Sequence, residues 1–255
     1  MGARRLRSPD MQDAQSRLAL PSHTVRWRGG WARLGPWRGT RDGVAQLSVG
    51  SDLPPSAAVV DRCIDLLRDS GYEHVVTSAL SPADSLPFID AGFGMRERLH
   101  LLAHDLVVLP PRRPGTRRAH RNDRGAVLRL DQLAFDDRWR FATPAALDDA
   151  LRATPVTRFR VADAATGGRR RLAAYAVTGL AGRAGYLQRV AVDPAARGRG
   201  WGRAVVGDAL HWLRKRSASR ALVNTQLENE SALGLYEACG FRRLPAGLCV
   251  LERDL

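Results

Sequence analysis

The stretch Val190-Ala-Val-Asp-Pro-Ala-Ala-Arg-Gly-Arg-Gly-Trp-Gly202 decides how the chain folds. A β-branched strand end runs into a glycine-rich turn, and the turn opens a helix. Val205, Ala209 and Leu213, with Val206 and Leu210, repeat at helical spacing and give that helix an apolar stripe. Glycines at 198, 200 and 202 leave backbone N–H groups uncovered at its N-terminus, where the helix dipole favours an anion. Downstream, Asn229-Glu-Ser-Ala-Leu-Gly-Leu-Tyr236 reads as a second helix, closed by Gly240-Phe241. Asn229 and Tyr236 are two turns apart on one face. Together these features suggest a pyrophosphate seat and a proton donor in one site. Spacing alone leaves Tyr236 equally readable as a core residue with a satisfied hydroxyl.

The glycine turn is not a dinucleotide fingerprint, because Arg203 stands where G-x-G-x-x-G needs its last glycine. It is not a Walker A loop either, since no Gly-Lys-Ser/Thr follows.

Composition narrows the class. With 255 residues, 44% of them apolar, the chain can bury a real core, and no run approaches the length of a membrane span. Three arginines near the start have no long apolar run behind them, so a secretory signal is not expected. Cys63, Cys239 and Cys249 are odd in number and far apart. No disulfide framework or metal site is expected, and a cytoplasmic protein is. The net charge of +14 invites a nucleic-acid reading. Only Lys215 is lysine, however, and the excess arginine sits in residues 1–50 and 110–130, which lack periodicity. A solvated tail and linker are the expectation there, and nucleic acid is not expected as a partner.

Outward from the glycine turn, the order is strand 186–192, helix 201–216, strand 221–227, helix 230–239, the Gly240-Phe241 corner and strand 247–254. A similar order runs earlier: strand 44–49, helix 57–69, strand 74–80, helix 83–91, Gly92-Phe93 and strand 97–105. The matched corners read as an internal duplication. Expected boundaries are a disordered tail at 1–20, a first half at 21–109, an Arg/Pro-rich linker at 110–125 and a second half at 126–255. Trp27, Trp31 and Trp37 are expected to fill a thin β core rather than stack on bases. In the first half Pro54 and Pro55 have no N–H to offer a phosphate, and Phe88 stands where Tyr236 carries a hydroxyl. That half is expected to lack the site.

The glycine turn after Val-x-Val-Asp-Pro, the Asn229-to-Tyr236 helix and the Gly240-Phe241 corner together resemble the GNAT family (Gcn5-related N-acetyltransferases) over about residues 126–255. The resemblance implies an α/β (α+β) fold with a mixed, largely antiparallel central sheet flanked by helices. It implies acetyl-CoA as cosubstrate, with no metal, and direct acetyl transfer to a primary amine in a ternary complex. Strand Leu187–Val192 would splay from its neighbour, and the backbone of Val190 and Val192 would meet the pantetheine arm. The loop Arg197, Gly198, Arg199, Gly200, Trp201, Gly202 and Arg203 would hold the pyrophosphate. Asn229 would bond the cofactor arm, and Tyr236 would protonate the leaving thiolate. The tandem layout resembles that of the mycothiol synthase family, but the first half here is shorter, so that substrate is not carried over.

Some GNAT members place a carboxylate on the strand before the glycine loop. Here that strand offers Gln188 and Arg189 and no acid. Glu228 and Glu230 flank Asn229 and are candidates for a base, directly or through water, or else are solvated charges. In the acceptor cleft the resemblance places helices at 131–141 and 145–153, with Phe135, Asp136 and Trp139 (and Gln188 from the strand) as substrate contacts. An amphipathic helix with Phe135 and Trp139 inward is the alternative. The acceptor is either a small amine or a protein N-terminus, and the protein is expected to be a monomer or homodimer. The rival class is a non-catalytic acyl-CoA-binding or interaction module.

Overall fold

The computed structural model describes residues 22–37, 43–51, 53–141, 143–166 and 169–255. The expected tail at 1–20 lies outside them. The strands are β1 His23–Trp27, β2 Gly30–Pro36, β3 Val44–Ser51, β4 His74–Thr77, β5 Gly94–His104 and β6 Thr116–Arg118, then β7 Val156–Thr166, β8 Arg169–Ala181, β9 Ala184–Val192, β10 Arg220–Gln226, β11 Arg242–Arg243 and β12 Leu248–Asp254. The helices are α1 Ala57–Asp69, α2 Pro82–Asp90, α3 Arg124–Ala134, α4 Pro144–Arg152, α5 Trp201–Lys215 and α6 Glu230–Glu237. Among the described residues no helix is long and apolar enough to cross a membrane.

The strands form one mixed sheet in the order β1-β2-β3-β4-β12-β5-β10-β9-β8-β7-β6, with β11 also on β5. Two pairs are parallel, β3 with β4 and β9 with β10; the others are antiparallel. Strand β8 shows how both faces are buried. Tyr175 and Val177 join Val127, Leu130 and Leu147 under α3 and α4, while Ala174 and Ala176 meet Val205 of α5 on the opposite face.

The two halves repeat at their corners. Phe88 lies edge-on to Phe93 at 5.3 Å, and Tyr236 lies edge-on to Phe241 at 5.7 Å. The Phe93 amide donates to the Phe88 carbonyl, as Phe241 does to Tyr236, across Gly92 and Gly240 with φ of 85° and 93°.

The halves are not self-contained, however. Strand β12 does not close the second half. It lies between β4 and β5, pairing Glu252 with Val76 on one side and Cys249 with Arg98 on the other. In return β5, from the first half, pairs with β10 from Leu99↔Gln226 to Ala221↔His104 and also carries β11. Each half is completed by a strand of the other, so a boundary drawn at 109 or 126 cuts through the sheet. Leu251 of β12 is fully buried in the first half's core with Val60, Leu67 and Phe88. Leu251→Ala is expected to cost about 2–5 kcal/mol, read as a lower chemical-denaturation midpoint. Protection of β4 amides against hydrogen exchange should fall with it. An effect confined to the second half would contradict the exchange.

The Arg/Pro-rich segment 110–125 also departs from a plain linker. Thr116–Arg118 forms β6 on the sheet edge, and Arg117 donates to both Asp123 (2.8 Å) and Asp163 (2.6 Å). Trp27, Trp31 and Trp37 are half-buried rather than central. Trp31 lies over Gly50, and Trp37 meets Trp139 edge-on at 5.9 Å.

Candidate active site

Strand β9 holds the opening of the sheet. It pairs with β10 only from Ala184↔Arg220 to Tyr186↔Leu222, and Leu187–Val192 then leaves β10. On its other side β9 follows β8 with a register shift that leaves Gln188 as an extra residue between the Thr178↔Leu187 and Val177↔Arg189 pairs, a β-bulge at the mouth of the gap. The corresponding pair in the first half stays closed. β3 and β4 pair from Val44 to Leu47, the Ser78 amide then donates to the Leu47 carbonyl at 2.7 Å, and the Val49 amide donates to Ser78 Oγ at 3.3 Å.

Beyond β9, Asp193 turns the chain. Its Oδ1 accepts from the Ala195 amide at 2.9 Å, starting a 3-10 turn over Pro194–Ala196. The backbone then passes Gly198 and Gly200 with φ of 75° and 83°, conformations that suit glycine, and α5 begins at Trp201. Gly202 lets α6 approach, since a Cβ there would sit 2.9 Å from Leu235 Cδ2. Among the described residues the amides of 198–203 donate to no other backbone group, so the first turn of α5 presents its donors outward.

These features wall a cleft of about 610 Å³ lined by Arg113, Val192, residues 196–203 and, from α6, Ser231, Gly234 and Leu235. The indole Nε1 of Trp201 is buried in that wall with no hydrogen-bond partner among the described residues. Four arginines, an unspent row of amides and an orphaned indole donor fit a pyrophosphate and suit an anion generally. All seven residues expected at the loop, with Val192, are brought together.

A second, inner cavity of about 130 Å³ lies under the opening, lined by Leu99, Phe135, Trp139, residues 187–190, residues 224–226, Asn229, Ala232 and Tyr236. It gathers Val190, Gln188, Asn229, Tyr236, Phe135 and Trp139 from the sequence expectations. Asn229 is the N-cap of α6, its Oδ1 accepting from the Ala232 amide at 3.0 Å. Tyr236 is 6% exposed, and burial pushes its phenol well above the ordinary range, so it carries its proton at neutral pH.

Two expectations change, and for Glu228 and Glu230 the solvated-charge alternative is the one their exposure matches. The helix placed at 131–141 is α3, Arg124–Ala134, and residues 135–141 form a turn after it. The Asp136 carboxylate is spent on that turn, its Oδ1 accepting from the Arg138 and Trp139 amides at 3.1 Å each, and it does not line the cavity. Glu228 is exposed beyond β10 and does not line the cavity either. Glu230 is exposed in the first turn of α6.

The turn is held by a group the sequence reading missed. Asp131, fully buried, accepts from Arg189 Nε at 2.8 Å and Nη2 at 2.9 Å, from the Phe141 amide at 2.6 Å and from the Tyr175 hydroxyl. Arg189 also donates to the Trp139 carbonyl at 2.7 Å and lies over the rings of Phe135 and Phe141. The arginine that stands where an acid was sought therefore anchors one wall of the cavity. Its only sequence signal was an aspartate at an inward helical position.

The central sheet thus opens beside a glycine-rich helix start, with Tyr236 behind the opening. Residues 125–241 match the model of the Acetyltransferase (GNAT) family. Over 59 residues the chain is 41% identical to a mycothiol acetyltransferase of Rhodococcus erythropolis, covering 23% of this chain and 20% of the relative. The corresponding protein of Nocardia farcinica is 40% identical over 57 residues, covering 22% and 19%. The chain thus spans about a fifth of the length of these relatives. Among solved structures, a tandem GNAT protein from the clavulanic acid biosynthesis pathway superposes with TM-score 0.63 at 14% identity, over 89% of this chain and 79% of that one. A GCN5-related N-acetyltransferase from Kribbella flavida gives 0.61 at 16% identity, over 96% and 94%. Identities this low speak for the shared fold.

Proposed function

We propose that the chain transfers an acetyl group from acetyl-CoA to a primary amine, directly and within a ternary complex. The observation that carries this reading is adjacency on one strand. Val192 lines the arginine-rich glycine cleft, residues 187–190 of the same strand line the inner cavity where β10 has parted from it, and Tyr236 lines that cavity with its proton in place. The cradle amides and Arg197, Arg199 and Arg203 would take the pyrophosphate, and the free edge at Val190 and Val192 would pair with the amides of the pantetheine arm. Tyr236 would protonate the departing thiolate. The acceptor would enter past Phe135, Trp139 and Gln188, and among the described residues no cysteine lines either cavity as a nucleophile for a covalent enzyme intermediate.

The test is acetyl-CoA binding by calorimetry, followed by thiol release against a panel of small amines and N-terminal peptides. Saturable binding with amine-dependent release supports the proposal and names the acceptor class. Binding without release on any acceptor favours a non-catalytic acyl-CoA module, and no binding sinks both.

A further inference from the structure

The cavity lining lacks a carboxylate on β9, but the strand exchange brings one from the other half. β5 runs antiparallel to β10, with Leu99 opposite Gln226, and both line the inner cavity. Side chains two residues apart on a strand share a face, so Glu97 stands on the Leu99 face, one step along β5 from the lining and outside it, where Gln226 of the lining reaches it. That face packs on the acceptor wall, for Leu99 clusters with Trp139. Gln226 hydrogen-bonds the Glu97 carboxyl, while Glu97 Oε2 is buried with no partner among the described residues. An acceptor-capable oxygen that is sheltered and unspent beside two residues of the cavity wall, Leu99 and Gln226, needs an account.

Resting on the acetyl-transfer reading above, we infer that Glu97 is the proton acceptor for the incoming ammonium, a catalytic residue that the first half contributes to the second half's site. The acceptor arrives as R–NH3+, and its proton passes to the Glu97 carboxylate. The freed nitrogen lone pair forms the N–C bond to the acetyl carbonyl carbon. The C–S bond breaks, and the thiolate takes the Tyr236 proton. The nitrogen's second proton returns through water to the Tyr236 oxygen, and Glu97 gives its proton to solvent as product leaves. The charged surroundings suit this role. Burial raises the Glu97 carboxyl above the ordinary range. Gln226 and Arg138 offset part of the rise, and Asp136 and Glu228 add to it. β12 sets the uncharged Val250 opposite Glu97. A carboxylate made more basic is the better acceptor near neutral pH.

The experiment compares wild type with Glu97→Gln using acetyl-CoA and two probe acceptors, ethanolamine (an ammonium at pH 7) and hydroxylamine (already neutral there). With ethanolamine, kcat/KM is expected to fall at least about tenfold at pH 7 and to recover as pH approaches the amine's own pKa; with hydroxylamine it should stay within about twofold. An equal loss on both acceptors, or no loss on either, overturns the assignment. Carbon-13 carboxyl NMR gives a reading independent of turnover. The Glu97 resonance, identified by its absence in Glu97→Gln, should titrate above the ordinary glutamate value of about 4.3. Titration at or below that value overturns the assignment even if neither probe is acetylated. Failure of the underlying reading is separate: wild type would then not bind acetyl-CoA.

Discussion

Replacing Asp131 by alanine is expected to lower the unfolding midpoint by about 10 °C. The carboxylate accepts four hydrogen bonds at a fully buried position. Its loss leaves the Arg189 guanidinium, only 10% exposed, without a counter-charge. Removing one partner of a buried pair costs about 3–5 kcal/mol, because the other charge stays desolvated. In a chain of this size each kcal/mol moves the midpoint by about 2–4 °C. The double replacement Asp131→Leu with Arg189→Met should recover much of that loss, since both charges go together. Catalysis should not recover with it, because Arg189 also holds the Trp139 carbonyl at the cavity wall. Calorimetric scans of the three proteins check this. A single replacement shifting the midpoint by less than about 2 °C, under 1 kcal/mol by the same conversion, would show that the pair is not what fixes the turn.

For Tyr236→Phe the expected loss is in rate rather than stability. The ring keeps its edge-on contact with Phe241 and its place on α6, so acetyl-CoA affinity should be retained. What disappears is the proton for the leaving thiolate. General acid catalysis is worth about 10²–10⁴ in rate, and a CoA thiolate leaves without help more readily than an alkoxide, so a fall in kcat at the low end, about 10²-fold, is expected. Pre-steady-state thiol release with saturating acetyl-CoA measures it. An unchanged kcat would return Tyr236 to the role of a core residue.

Where the apolar pattern is local, the sequence reading was close. Helix α5 was expected from 201 to 216 and ends at 215, and α1 was placed at 57–69 as found. The glycine turn was legible because its residues act through backbone conformation, and that constraint is written in glycine itself. Helix α3 was misplaced for a physical reason. Its inward positions are Val127, Leu130 and Asp131, so one third of the buried face is acidic. The aromatics that follow, Phe135, Trp139 and Phe141, mimic a helical stripe although they belong to a turn. Strand β6 is three residues long and two of them are arginine, so no periodicity can announce it. Glu97 was invisible for a different cause. Its meaning comes from the pairing of β5 with β10, a contact between segments far apart in the chain. Local patterns show that a strand exists but not which edge it joins.

The exchanged strands also set an order of events during synthesis. When β4 and β5 leave the ribosome, the strand that belongs between them has not been made. It is translated only after the entire second half. Until then the first half carries a gap in its sheet, with the core around Val60 and Leu67 uncovered where Leu251 will sit. Such open edges invite pairing with other chains. The nascent protein is therefore expected to expose a pairing edge for longer than two independent domains of the same size would.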